Sequence, residues 1–468
     1  MTSFPPIPVP LEGYAAHFDD LLTRPSQRAA FRQYLAGLLL PTERNKTLTA
    51  LANTEPVVGA QRPAAQKLQW FLSESTWDAA ALTARRLELL RADPATAPHP
   101  GGVLIVDETG DRKDGGQTAH VGRQYLGNRG KIENGVVSVG SIWADEGVYY
   151  PLAVEPYTPA HWFAQGKTDP AFRTKPHIAL ELVDHAVAQD WPFRAVVADC
   201  LYGEHHGFTG GLSQRGVPYV VALRPSHAWW APVDAIGAVW EVAAAGGWVS
   251  AEQPGAWLPV ERTFRDGHAT TWWALEGHAG PYGPDRARRL VIATPDPATL
   301  PEPATWYLET TLPLTAADLA EVVRLYGLRH WVEQQYKQVK TSLGWSQYQV
   351  RSDRAMRRHW ALVQSAFAFC WWAETRTPPA SPPPAEAPDA AAEDADRTAG
   401  RGGKGAAARS GLAPAVALLA RGAAAGAGLA GAGGVPVALL DGLDRPAATP
   451  AAPSAAGLAA PGLPAHAL

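Results

Sequence analysis

The sequence predicts an α/β protein: an all-helical N-terminal domain, a sheet-based core, a β-rich insertion, and two closing helices. Three observations carry this. Apolar residues recur at three- and four-residue spacing through the first hundred positions. After the Pro- and Gly-rich stretch 97–102 the pattern switches to short, continuous apolar runs. Beyond position 376 large side chains stop, and all 18 tryptophans lie before that point.

In order, helices are expected over 27–40, 42–52, 64–73 and 79–91, the last entered through Thr76-Trp77-Asp78. Residues 103–106 (Val-Leu-Ile-Val) read as a buried central strand. Runs 135–143 and 148–154, separated by Ala144-Asp145-Glu146-Gly147, read as a hairpin. A helix over 176–189, a strand over 194–198, a helix over 205–214 and a strand over 217–223 complete a β-β-β-α-β-α-β order with mixed pairing. The domain boundaries follow: 1–100 helical, 101–224 the first part of the core, 225–308 the β-rich insertion, and 309–376 the end of the core. One long helix is expected over 315–341 and another over 353–375. Residues 377–468 contain no Phe, Trp, Tyr, Ile, Met, Cys, Asn or Gln, so they cannot bury enough area to offset their ordering entropy and are expected to be disordered. A reading-frame shift in GC-rich DNA and a true low-complexity tail both account for that composition.

Composition narrows the function classes. Two cysteines, Cys200 and Cys370, exclude a disulfide framework and a four-thiolate zinc site. The strongest apolar run, 361–372, is too short for the ~20 residues of a bilayer crossing, so a soluble, cytoplasmic protein is expected. Net charge is −4, yet 321–360 holds eight Lys/Arg against three Asp/Glu, and 24–91 holds ten against five. Those local excesses permit a phosphate-backbone partner.

Asp107 and Asp199 each follow a buried apolar run, where open α/β sheets place their chemistry. A helix cap or turn role is the alternative for each. Tyr326, Arg329, Glu333 and Lys340 fall within about a 60° arc of one helix face. The alternative there is a solvated salt-bridge face, since Arg329 and Glu333 are an i,i+4 pair. Three carboxylates, Asp107, Asp199 and Glu333, offer hard oxygen ligands suited to two Mg²⁺ or Mn²⁺ ions and in-line phosphoryl displacement. Arg329 and Lys340 would hold the scissile strand.

Tyr326-x₂-Arg329-x₃-Glu333-x₆-Lys340 resembles the signature of the bacterial insertion-sequence DDE transposases that carry Y-(2)-R-(3)-E-(6)-K. Val106-Asp107-Glu108-Thr109-Gly110 with Lys113, the stretch Gly122-Arg123-Gln124-Tyr125-Leu126-Gly127, and Ala198-Asp199 with Tyr202-Gly203 are similar to the family too. The resemblance implies a ribonuclease H-like catalytic core with an insertion between the second Asp and the Glu, and 134 positions separate Asp199 from Glu333. It implies cleavage of transposon ends and their joining to target DNA with Mg²⁺, by a homodimer in the synaptic complex of a nucleoid-associated bacterial protein. Catalytic and metal roles fall on Asp107, Asp199 and Glu333, and DNA-phosphate roles on Tyr326, Arg329 and Lys340. A DNA-binding remnant without turnover and a carboxylate-pair glycosidase are the rival readings.

Further DNA contacts are expected from Arg351, Arg354 and Arg358, spaced to share a helix face, and from Arg28, Arg32, Arg44, Lys46, Arg62 and Lys67 in the N-terminal helices. Asp111 and Asp114 read as turn residues, not ligands. Trp272 and Trp273 are candidates to stack on a flipped base.

Overall fold

The computed structural model describes residues 7–41, 44–230, 236–264, 268–277, 288–300 and 304–376. The expected disordered tail lies outside them. Five helices come first: α1 (Val9–Ala16), α2 (Pro25–Leu39), α3 (Leu48–Leu51), α4 (Pro63–Ser73) and α5 (Ala79–Ala92). Pro stands at the first position of α2 and α4, where its missing N–H costs nothing. Asp78 caps α5 as its sequence implies, accepting from the Ala80 and Ala81 amides at 3.0 and 3.3 Å. The helix expected over 42–52 shrinks to the single turn α3, entered at Thr47 and ended before Asn53, whose φ of 51° is left-handed.

The core follows as β1 (Val103–Arg112), β2 (Gly122–Leu126), β3 (Lys131–Ala144), β4 (Tyr149–Tyr157), α6 (Lys175–Ala188), β5 (Ala195–Ala198), α7 (Cys200–Gly203), α8 (His206–Gln214) and β6 (Tyr219–Leu223). β4, β3 and β1 pair antiparallel, while β1, β5 and β6 pair parallel. β2, which the apolar pattern does not signal, pairs with Lys131 to Gly135 of β3. One expectation needs correcting here. Asp107 does not end its strand, because the long β3 ladder carries β1 on to Arg112.

Two short strands, β7 (Ala228–Trp230) and β8 (Ile236–Ala238), pair with each other and lead into α9 (Val239–Ala244). Strands β9 (Leu258–Thr263), β10 (Ala269–Gly277), β11 (Arg289–Thr294) and β12 (Trp306–Thr310) are the β-rich segment. Their sheet is not separate. β12 pairs antiparallel with β6, so all four strands prolong the core into one ten-stranded sheet. Trp229, Val239, Trp257, Leu275 and Ile292 form a small second core on this extension.

The long helix expected over 315–341 is two helices, α10 (Leu319–Gly327) and α11 (His330–Thr341). At the break the Arg329 amide bonds to Tyr326 O at 2.9 Å, an i→i−3 turn just after the poor helix former Gly327. The last helix, α12 (Asp353–Glu374), is capped by Ser352 and buried along most of its length. The N-terminal helices pack on it through buried polar contacts. Arg86 donates to Pro151 O, Leu152 O and Gln364 Oε1 at 2.6, 3.0 and 3.2 Å. Tyr34 donates its hydroxyl to His359 Nδ1 at 2.8 Å, and His359 Nε2 donates to Gly344 O at 3.1 Å.

Candidate active site

Parallel register builds the centre of the site. The β1–β5 ladder ends at Ile105 opposite Val197, and two residues further each strand reaches its carboxylate, Asp107 and Asp199. Adjacent strands lie ~4.8 Å apart, so the two acids face each other across the crevice. Asp107 Oδ1 accepts the Glu108 amide at 2.7 Å, and Asp199 Oδ1 accepts the Leu201 amide at 3.0 Å as the cap of α7. The cap alternative for Asp199 is thus realised. Burial pushes the Asp107 carboxyl well above the usual carboxylate range, with Arg329 opposing and the Asp199 charge adding to the rise.

Glu333 lies in the first turn of α11, with its side chain 63% exposed. Arg329 joins it to the strand acids, donating through Nη1 to Asp107 Oδ2 at 3.1 Å and through Nη2 to Glu333 Oε1 at 2.8 Å. The guanidinium therefore sits between two of the three expected ligands. Among the described residues no group of three or more His, Cys, Asp or Glu is close enough to hold a metal ion. The donor set itself is all hard oxygen, the ligand chemistry that suits a divalent cation of the Mg²⁺ or Mn²⁺ kind.

Other expected residues land differently. Tyr326, on α10, is buried edge-on against Trp306 at 4.9 Å, and burial lifts its phenol to about 12. Lys340 reaches back to β1, donating to Gly110 O at 2.8 Å with Asp111 Oδ1 also at 2.8 Å. Asp111 is not a turn residue: it lies inside β1 and is 3% exposed. Asp114 does lie in the loop, paired with Arg112 at 2.8 Å. Trp272 is buried against Trp306 at 4.5 Å, and Trp273 packs on Trp248 at 4.6 Å.

The arginines after α11 divide. Arg351 precedes the Ser352 cap and is exposed, so it lies outside the helix face expected to carry it. Arg354 is exposed and touches Ser73 O, with Glu74 at 3.8 Å. Arg358 is 4% exposed and fully engaged. It donates to Leu72 O and Ser75 O at 2.9 and 2.6 Å and to Trp77 O, with its guanidinium 4.7 Å from the Trp77 ring centre. The expected phosphate contact from Arg358 is corrected: its donors are turned inward to backbone carbonyls. Several N-terminal cations are similarly engaged. Arg32 pairs with Glu12 and Asp19, both at 2.7 Å. Arg28 donates to Leu22 O at 3.1 Å and Arg44 to Thr54 O at 3.0 Å. Lys46 is buried on Leu40 O at 2.7 Å with Gly37 O at 3.4 Å. Arg62 remains exposed and Lys67 half-buried.

Three neighbours of the site escape the sequence reading. Lys175, at the start of α6, pairs with Glu108 at 2.6 Å. The Tyr336 hydroxyl donates to Asp107 O at 3.1 Å. Gly140 permits that approach, since a Cβ there would lie 2.8 Å from the Tyr336 oxygen. A lone glycine inside a β pattern is the signal that could have drawn attention to it.

A mixed sheet thus carries one acid inside β1, a second just after the neighbouring parallel strand β5, and an arginine joining the first to a helix glutamate. Residues 17–281 match the DDE superfamily endonuclease family, and the chain belongs to it. It is also 33% identical over 343 residues to the probable transposase for insertion sequence element IS701 of Microchaete diplosiphon, across 73% of this chain and 81% of that protein. Membership implies an enzyme that acts on DNA with divalent metal ions. No helix among the described residues is long and apolar enough to cross a membrane.

Proposed function

We propose that this protein is a transposase that cleaves phosphodiester bonds at the ends of an insertion sequence and joins them to target DNA, working from a ribonuclease H-like core. The observation that carries the reading is the placing of Asp107 and Asp199 each two residues beyond the Ile105–Val197 end of the parallel ladder, with Arg329 linking Asp107 to Glu333. Asp107, Asp199 and Glu333 would hold the two Mg²⁺ or Mn²⁺ ions, whose charge stabilises the attacking and leaving oxygens of an in-line displacement. The remaining roles belong to this chain's own side chains. Arg329 holds Asp107 and Glu333 in order with one guanidinium, and the same planar fork would suit a phosphate of the DNA strand. Lys340, on the β1 side of α11, supplies a second cation to the same strand. Arg351 and Arg354 stand exposed where the duplex would continue. Two copies would bring the two ends together, and residues 1–100 would contribute to their recognition.

Duplex DNA made from the genomic segment flanking the coding region tests the proposal. The wild-type protein should nick it with Mg²⁺ and not in chelator. Asp107→Asn, Asp199→Asn and Glu333→Gln should each abolish nicking while binding persists, because losing a charged ligand raises the barrier by several kcal/mol. Near-normal nicking by any one variant removes that residue from the site.

A further inference from the structure

Asp111 has no part in the reading above, yet it is the most enclosed carboxylate along β1. It is 3% exposed, and neither of its oxygens accepts an aligned hydrogen bond among the described residues. Residues two apart on a strand share a face, so Asp107, Thr109 and Asp111 all look toward α11. That helix crosses the face in order: Arg329 against Asp107, Tyr336 on the Asp107 carbonyl, and Lys340 against Gly110 and Asp111. Lys113 follows, its ammonium 3.4 Å from the Tyr348 ring centre and 3.1 Å from Ser346 O. Its charge is felt by Asp111, but its ammonium is seated on Ser346 O and Tyr348, and the cation in direct contact with Asp111 is Lys340, at 2.8 Å.

A buried carboxylate is unfavourable without a cation, so Asp111 holds Lys340 in place as firmly as Lys340 neutralises Asp111. An ammonium has three N–H donors on a flexible stem. In Lys340 one donates to Gly110 O, the Asp111 side is closed, and only 16% of the side chain meets solvent. Little of the side chain is left open to a further partner. We propose that Asp111 is a positioning residue, holding the Lys340 ammonium so that it meets a backbone phosphate of the bound DNA end. This rests on the transposase reading.

The sign of one substitution separates positioning from plain electrostatics. An acid close to bound DNA repels it, so Asp111→Asn should tighten DNA binding if charge alone matters. If Asp111 positions Lys340, the same change should weaken binding to the flanking genomic duplex about five-fold and flatten its salt dependence by about one unit of slope. Nicking at saturating DNA should change much less than affinity. Lys340→Gln should reproduce the loss, and the Asp111→Asn, Lys340→Gln double variant should bind no worse than Lys340→Gln alone. Equal or tighter binding by Asp111→Asn overturns the inference. So does additivity in the double variant, which would mean that Asp111 acts on the fold and not through Lys340. A wild-type protein that neither prefers nor nicks the flanking duplex overturns the transposase reading instead, and the inference falls with it.

Discussion

Two regions of this molecule gather arginine and lysine, and they use them in opposite ways. Where the N-terminal helices meet α12, Arg86 and Arg358 lie in the interior and donate to backbone carbonyls and an amide. In the crevice, Arg329 faces the carboxylates of Asp107 and Glu333. The first arrangement fixes a fold, since neutral acceptors have no other role once buried. The second joins opposite charges, which under the proposed function a metal ion or a phosphate would take over. Positive charge in a sequence therefore does not reveal a nucleic-acid surface until its partners are known.

The largest effect outside catalysis should come from cutting the interior set. Arg86→Ala leaves three buried acceptors unpaired and should cost about 2–4 kcal/mol in chemical denaturation, with Arg86→Met recovering part of it through packing. A loss below about 1 kcal/mol would mean that the two regions are not so different.

Acid gives the next largest effect. Burial holds the His359 imidazole down to about 4, with Lys113 adding to the depression and the Gly344 carbonyl opposing it. An unfolded chain takes up that proton from about pH 6.5. Its contribution is then complete above 6.5 and lost as pH falls toward 4, since the unfolded state binds more protons in that window. The size is up to about 3 kcal/mol by linkage. Melting curves between pH 7 and 4 should show a smaller drop in His359→Gln than in wild type. Parallel drops would remove His359 as the cause.

The smallest effect sharpens the comparison most. Arg354 and Arg358 lie one turn apart but differ in burial. Arg354→Ala should change stability by less than about 0.5 kcal/mol and flatten the salt slope of DNA binding by about one. Arg358→Ala should do the reverse, lowering stability and leaving the slope of the surviving folded protein unchanged. Titrations at several salt concentrations, paired with denaturation, read both.

Much of this architecture was legible from periodicity. Apart from β2 and the single turn α7, the order of core strands and helices, the Asp78 cap and the acids after two apolar runs could all be read without coordinates. What could not be read was set by partners distant in the chain. β1 runs past Asp107 because β3 is long enough to pair with it, and no local feature of Gly110 or Arg112 reveals that. Asp111 looked like a turn residue among Gly, Asp and Lys until the same ladder carried it inside. The helix break at 328–329 lay in the middle of an unbroken apolar pattern, and a spacing rule cannot see an i→i−3 turn. Arg358 shared its spacing with Arg354, but only packing against α4 and Trp77 distinguishes them.

The joining of β12 to β6 has a mechanical consequence. Four consecutive residue pairs, Tyr307 with Leu223 through Thr310 with Val220, bolt the outer strands to the same beam that carries Asp199. A hinge cannot operate at such a seam, so the extension must move with the crevice as one rigid lever. A one-residue slip there would turn every β12 side chain to the opposite face. Trp306 would leave Tyr326, and the alignment of α10 would be lost with it. The distance from the outer strands to the acids is thus geared by tooth count, and shortening β12 by one residue should abolish the proposed nicking without touching Asp107, Asp199 or Glu333.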